Sequence, residues 1–286
     1  MSDRRAPGEL PLWRARDTRR WAACRPAVWS RPWWGALALA MAVGAVLVLA
    51  PGALAAPHCW LAAAQVYWLF RLPQLTLVSA PLSVALLVWL AEPMAALPVC
   101  AALAVCWAGA RHRLAVRRRR RLLAANAAGD VRLRLPAPVP ALRRRGLVPA
   151  AVGLPLCAVA AVPFLLPVAL AGFTLLVTGL RAMRRAAALR RDELPVLRVL
   201  SREDEDTRVW VYAADDTAGR VPVFSCPVRP GSAIPDDDHA PGDSRLRDTL
   251  LFGAPFEGAE LVLLSADVEH GPLIDRVAGP VRPVAG

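Results

Sequence analysis

The sequence predicts an α-helical membrane part of about four transmembrane helices, arranged as two hairpins, followed by a small, mainly-β, water-soluble C-terminal domain. Three observations predict it. Mean hydropathy is +0.38 and 56% of residues are apolar, yet the net charge is +12; hydrophobicity and charge are therefore segregated along the chain. Long uncharged runs occupy residues 33–56 and 147–180, and a third, 75–110, is interrupted only by Glu92. The charge also changes sign: residues 1–185 hold 24 Arg against five acids, whereas residues 186–286 hold 11 Arg against 18 acids. That asymmetry points to a basic part at a membrane or nucleic acid and an acidic part in water. All 35 basic residues are Arg, which reads as GC-rich codon usage more than as a choice of guanidinium over ammonium chemistry.

Residues 1–32 carry Arg4, Arg5, Arg14, Arg16, Arg19, Arg20, Arg25 and Arg31, and Pro7, Pro11, Pro26 and Pro32 break any long helix. They are expected to form a disordered or surface-lying cytoplasmic tail. Trp33-Trp34 opens the run 33–56, 24 residues long. At a rise of ~1.5 Å per residue it exceeds a hydrocarbon core of ~30 Å, and the Trp pair suits an interfacial belt. A secretory signal is the competing reading, with Ala53-Leu54-Ala55 as its cleavage site and Arg19-Arg20 resembling a twin-Arg signal. The apolar region is too long for that reading and Pro57 hampers cleavage, so a retained helix is expected.

Residues 58–74 hold Trp60, Tyr67, Trp68 and Phe70 with Arg71 near the end. The preferred reading is an interfacial helix with Arg71 reaching the headgroups; a second span over about 59–78 is the alternative. Residues 75–110 are too long for one straight span, and Pro81, Pro93 and Pro98 offer kinks. With the basic tail and the basic residues after 110 both inside, residues 33–110 cross an even number of times; they are read as the first transmembrane hairpin. Residues 111–146 hold 12 Arg against Asp130 alone and form a cytoplasmic loop, stiffened by Pro136, Pro138 and Pro140. The run 147–180, with Pro163 and Pro167 near its centre, reads as the second hairpin, with one tilted, kinked helix as the alternative. Residues 181–193 form a basic linker helix.

From Leu194 the pattern changes. Leu194–Leu200, Arg208–Ala213, Arg220–Ser225, Ala259–Ser265 and Leu273–Val281 are short and rich in Val and Leu, with turn residues between them. They predict a small antiparallel sheet or barrel over 194–286. The stretch 234–244 reads as a mobile loop, and Phe252 to Gly258 as a tight connection into the next strand.

Candidate chemistry is sparse. Glu92 is the potential functional charge inside the membrane, although an interfacial turn before Pro93 explains it as well. Arg117, Arg118, Arg119, Arg120 and Arg121 are the expected contact with anionic lipid, each contributing ~1 kcal/mol near the surface. Nucleic acid is not the expected partner of that run. Asp236-Asp237-Asp238-His239 lacks the alternation of a calcium loop and reads as solvated. Glu203 to Asp206 reads as a solvated turn. The six Cys contain no C-x-x-C pair and are expected as free thiols. None of the four His lies near a nucleophile signature, and no Gly-rich phosphate motif occurs. Neither a cofactor nor a metal is expected, and no catalytic residue is assigned.

The Arg-only basic content, Pro- and Ala-rich spans and Arg-laced loops resemble integral membrane proteins of GC-rich actinobacteria whose function is not characterised. The run Leu251-Phe252-Gly253-Ala254-Pro255-Phe256-Glu257-Gly258-Ala259-Glu260-Leu261-Val262-Leu263, then Ala278-Gly279-Pro280-Val281-Arg282, is similar to the last strands of small barrel domains attached to such proteins. This likeness covers under half the chain, implies an architecture and brings no catalytic residues. The expectation is a multi-pass cell-membrane protein with its N-terminus and C-terminal domain in the cytoplasm. Its β domain would bind a protein partner or support an assembly, with membrane lipids around the helices and an oligomer allowed. Two other readings stand beside it: an oligomeric transporter or ion conductor using Glu92, and a membrane enzyme acting on lipid-linked substrates.

Overall fold

The computed structural model describes residues 10–49, 56–90, 93–135, 146–158, 166–191, 193–204, 208–230, 246–265, 274–278 and 281–284. It has a helical N-terminal part and a C-terminal antiparallel sheet domain. The chain divides into two compact units. One comprises residues 25–116 and 149–178; the other comprises 1–24, 117–148 and 179–286.

The helical unit is built from α2 (Pro32–Leu49), α3 (Ala56–Arg71), α4 (Pro73–Leu90), the first part of α5 (Pro93–Ala128), α6 (Leu147–Ala158) and the first part of α7 (Leu166–Arg191). A proline opens α2, α4 and α5, where its missing N–H costs no helical bond and its fixed φ suits the first turn. This punctuation divides residues 33–110 more finely than the expected hairpin with an interfacial segment. Residues 58–74 fall on α3 and the start of α4. Among the described residues two helices are long and apolar enough to cross a membrane, Ala96–Ala128 and Leu166–Arg190. Pro32–Val48, Pro73–Trp89 and Leu147–Ala158 are apolar but shorter.

On α2 and α4 apolar residues lie on both the buried and the exposed sides. On α2, Leu39, Ala42 and Val46 are buried while Leu37, Met41, Leu47 and Val48 are exposed. On α4, Ala80 is buried while Val78, Leu82, Leu86, Val88 and Trp89 are exposed. A helix on a water-facing surface would carry charge on its outer side. Polar groups sit between the helices instead. Ser79 donates to Gln65 Oε1 at 3.0 Å, Gln65 Nε2 donates to Ser83 Oγ at 3.4 Å, and Trp68 Nε1 donates to Thr174 Oγ1 at 2.9 Å. Glycine sets the approach of α6 to α7. A Cβ added to Gly172 would lie 2.6 Å from the Leu156 Cβ, and one added to Gly153 would lie 2.6 Å from the Gly172 carbonyl oxygen. Small residues admit this backbone contact where hydrophobic burial offers little drive.

The other unit contains β2 (Leu194–Asp204), β3 (Arg208–Tyr212), β4 (Pro222–Pro230), β5 (Arg247–Phe252), β6 (Leu261–Ser265) and β7 (Ile274–Ala278). Neighbours run antiparallel in the order β2-β3-β4-β7-β6-β5, and β5 pairs back onto β2. The ring therefore closes, and closure removes open sheet edges. Eleven residues long, β2 reaches both neighbours: 196–201 pair with β5 and 200–204 with β3. Short β1 (Arg132–Leu133) adds to β2, and β8 (Arg282–Pro283) adds to β4. The sequence reading missed β5, whose first residues Arg247-Asp248-Thr249 break the apolar alternation.

Alternate residues along the strands point into one core: Leu197 and Val199, Val209 and Val211, Phe224 and Cys226, Leu251, Leu261 and Leu263. Inside it the Ser201 and Thr249 hydroxyls bond each other at 2.6 Å, so neither is left unpaired. Part of the outer face of β2, β5 and β6 is apolar as well. Val196, Phe252, Val262 and Leu264 form a second core with Ala186 and Leu189 of α7. Strands buried on both faces read as continuous apolar runs, and Leu261-Val262-Leu263-Leu264 is one.

Residues 10–24 differ from the tail expected over 1–32. Trp13 N–H donates to the Arg198 carbonyl at 3.0 Å, Arg198 N–H donates to Pro11 at 2.9 Å, and Ala214 N–H donates to Trp13 at 2.9 Å. The segment thus adds a short parallel contact to β2 at Leu12 and Arg198. The helix α1 (Ala15–Ala23) follows, its first N–H bonded to the Asp215 carboxylate at 2.7 Å. Trp13 and Trp21 are fully buried. They meet edge to face at 5.8 Å and lie 6.2 and 5.9 Å from Phe224. Arg16, Arg19 and Arg20 stay exposed on the other side of α1. The area buried by two indoles outweighs the polarity of the residues around them.

Burial pushes the Cys226 thiol up to about 12, against a smaller opposing pull from Arg208. The thiolate is the reactive form. A variant keeping Cys226 as its sole cysteine is expected to resist maleimide at pH 8 until denaturant opens the barrel. The neutral thiol is favoured in the folded state. This group's stabilisation is therefore complete below pH 9 and is lost as pH rises toward 12. Rapid native labelling at pH 8 would contradict the placement of Cys226.

Candidate functional site

Arg117–Arg121 stand on α5 just after Val116. Helical phase divides the run, because positions three and four apart share a face. Arg117 and Arg120 lie in line with Ala124 and Ala128, which enter the barrel core. Arg118, Arg119 and Arg121 point outward and are exposed. The five expected as one lipid contact are therefore of two kinds. Arg120 is buried with its guanidinium 4.6 Å above the Trp21 ring, a cation–π contact. Arg117 Nη2 lies 3.5 Å from Glu257 Oε1, and its Nε is buried without a hydrogen-bond partner among the described residues.

The loop joining β5 to β6 collects the other groups. Gly253 and Gly258 take φ of +100° and +80°, a backbone conformation that side chains disfavour. The Pro255 and Gly258 carbonyls of this loop each accept a side-chain hydrogen bond. Trp21 Nε1 donates to Pro255 at 2.9 Å, and Arg185 Nη1 of α7 donates to Gly258 at 3.1 Å. Arg181, one turn earlier on α7, is half-buried and shares a helix face with Arg185. Glu260 acts on Arg185 with the opposite sign. Three guanidinium groups and two carboxylates thus gather around one loop, leaving an excess of positive charge. Such a set can bind an anion; it holds no nucleophile.

Other sequence candidates fall elsewhere. Glu92, Asp236–Asp238 and His239 lie outside the described residues, as does 234–244. His112 accepts a hydrogen bond from Ala27 N–H at 3.2 Å and sits 5.2 Å from the Trp29 ring, which gives it a packing role. Cys24, Cys100, Cys106, Cys157 and Cys226 are free thiols. Among the described residues no group of three or more His, Cys, Asp or Glu could hold a metal ion. Arg198 grips Asp248 through two nitrogens on the outer face, and this carboxylate raises the guanidinium pKa. Sequence reasoning missed Trp13, Trp21, Arg181 and Arg185. The signal for the tryptophans was two large apolar side chains inside an Arg-rich stretch; for the arginines there was none beyond their register on α7. No family model, curated protein or solved structure matches the chain.

Proposed function

We propose that this chain is an integral membrane protein whose helices anchor a small closed β domain at the inner membrane face, where that domain binds a protein partner or stabilises an assembly. One observation carries the reading. The barrel interior is filled by the chain's own Trp13, Trp21 and Phe224, so it is not a cup for a small ligand. Recognition then falls to the outer surface and the loops. Helices α2 and α4, apolar on exposed and buried sides alike, support the membrane setting.

Shared packing supports a topology. Residues 10–24, the end of α5 and the strands contribute to one core. All three must then lie on the same side of a membrane. Residues 25–116 cross an even number of times, and so do residues 149–178. The Arg residues of that unit support the cytoplasmic side for it. The same core argues against removal of the N-terminal segment as a signal, since cleavage would carry Trp13 and Trp21 away.

Two measurements test this. Reporters fused before Met1 and after Gly286 are expected to be active on the same side, the cytoplasm. Activity on opposite sides would sink both the topology and the shared core. For the interaction, a photo-crosslinking residue in place of Val221, which is 70% exposed, is expected to give a discrete adduct in intact cells. No discrete adduct there or at other exposed positions of the β unit would count against a protein partner.

A further inference from the structure

We propose that Arg117, Arg181 and Arg185 form a binding site for a phosphate-bearing anion of the phosphodiester kind carried by phospholipid headgroups, with Glu257 as the internal group the anion displaces. A guanidinium presents five N–H donors in a rigid fork that matches phosphate oxygens. Arg117 uses one nitrogen, at 3.5 Å from Glu257. A charge-assisted bond of this type is normally ~2.7–2.9 Å. Its Nε is buried and meets no acceptor among the described residues. Arg185 spends one donor on Gly258. Arg181 is half-buried beside two like charges.

Mutual repulsion among three partly buried cations is relieved by an oxyanion whose several acceptor atoms reach more than one guanidinium, which the Glu257 carboxylate at 3.5 Å from Arg117 does not do as well. Position names the source. Arg117 follows Val116 directly, and Arg181 is the first charge after the uncharged run 166–180. Arg117 lies less than two turns past Arg111, the first charge of α5 after its apolar stretch, and Arg181 directly ends another, so both stand near the level of the headgroups if those helices cross a bilayer. The site is distinct from Arg118, Arg119 and Arg121, which are exposed and have no fixed geometry to offer. Only the lipid source of the phosphate rests on the membrane reading; the arginine site itself does not.

The test uses the full chain. Binding of headgroup-labelled phosphatidylglycerol is measured in phosphatidylcholine nanodiscs, and competition by inorganic phosphate is measured in neutral detergent. Arg181→Gln and Arg185→Gln are each expected to weaken binding about tenfold. Glu257→Gln is expected to tighten it several-fold, an outcome that a purely structural role would not produce. Near-UV circular dichroism confirms that each variant keeps its barrel. Displacement by inorganic phosphate as readily as by lipid assigns the site to a soluble phosphate; displacement by lipid alone assigns it to the headgroup. The site is overturned if Arg181→Gln and Arg185→Gln bind as wild type while Arg118, Arg119 and Arg121 together account for all binding. It is overturned equally if Glu257→Gln weakens binding. Retention of the chain in membranes after alkaline extraction is scored separately, so failure of the site and failure of the membrane reading stay distinguishable.

Discussion

Trp21→Ala lowers the unfolding free energy of the β unit by about 3–5 kcal/mol, the range for truncating a large buried aromatic. The side chain is fully buried. It touches Trp13 and Phe224, carries the Arg120 guanidinium on its face, and anchors the β5–β6 loop through Pro255. Removal would leave a cavity, an unpaired carbonyl and a buried guanidinium without its ring. Each cost has the same sign, so the larger end of the range is expected. Chemical denaturation in detergent, followed by near-UV circular dichroism, measures it. Trp21→Phe keeps most of the ring and loses the hydrogen bond, and it is expected to cost less than Trp21→Ala. A loss under about 1 kcal/mol for Trp21→Ala would be typical of a surface site and would remove residues 10–24 from the core.

Gly172→Leu is the second large effect. The pocket facing Gly172 is filled by Leu156 and Cys157, so even a Cβ has no room. Overpacking of this kind costs about 1–3 kcal/mol in ordinary cores, and more is expected where two helix backbones must separate. The control is Gly44→Leu on α2, where an added Cβ meets nothing within 4 Å. Thermal unfolding in detergent is expected to separate the two by many degrees. Equal stability of the two variants would mean that α6 and α7 do not pack through their glycines.

The strand segments of the β unit were legible because period-two apolarity survives in short stretches such as Val209 to Tyr212. Strand β5 was not, since its opening residues Arg247 and Asp248 serve the outer face and hide the pattern. In the helical unit, hydropathy alone ran neighbouring helices together. Pro73 and Pro93 carried the boundaries, and a proline inside an apolar run reads equally well as a kink. The tail was misjudged because local composition weighs every residue alike, whereas two buried indoles decide where a segment goes. The candidate anion site was invisible for a related reason. Which arginines of the run 117–121 turn inward depends on helical phase relative to partners that lie far away in sequence.

The Trp21–Pro255 contact joins residues 234 positions apart. During synthesis the first indoles therefore wait until the last strands emerge, with every intervening helix already made. Closure of this unit is thus a late step of its folding, and its loop-closure cost falls at the end. The half-made barrel exposes apolar strands during that interval, which makes this the stage most open to chaperone capture and to proteolysis.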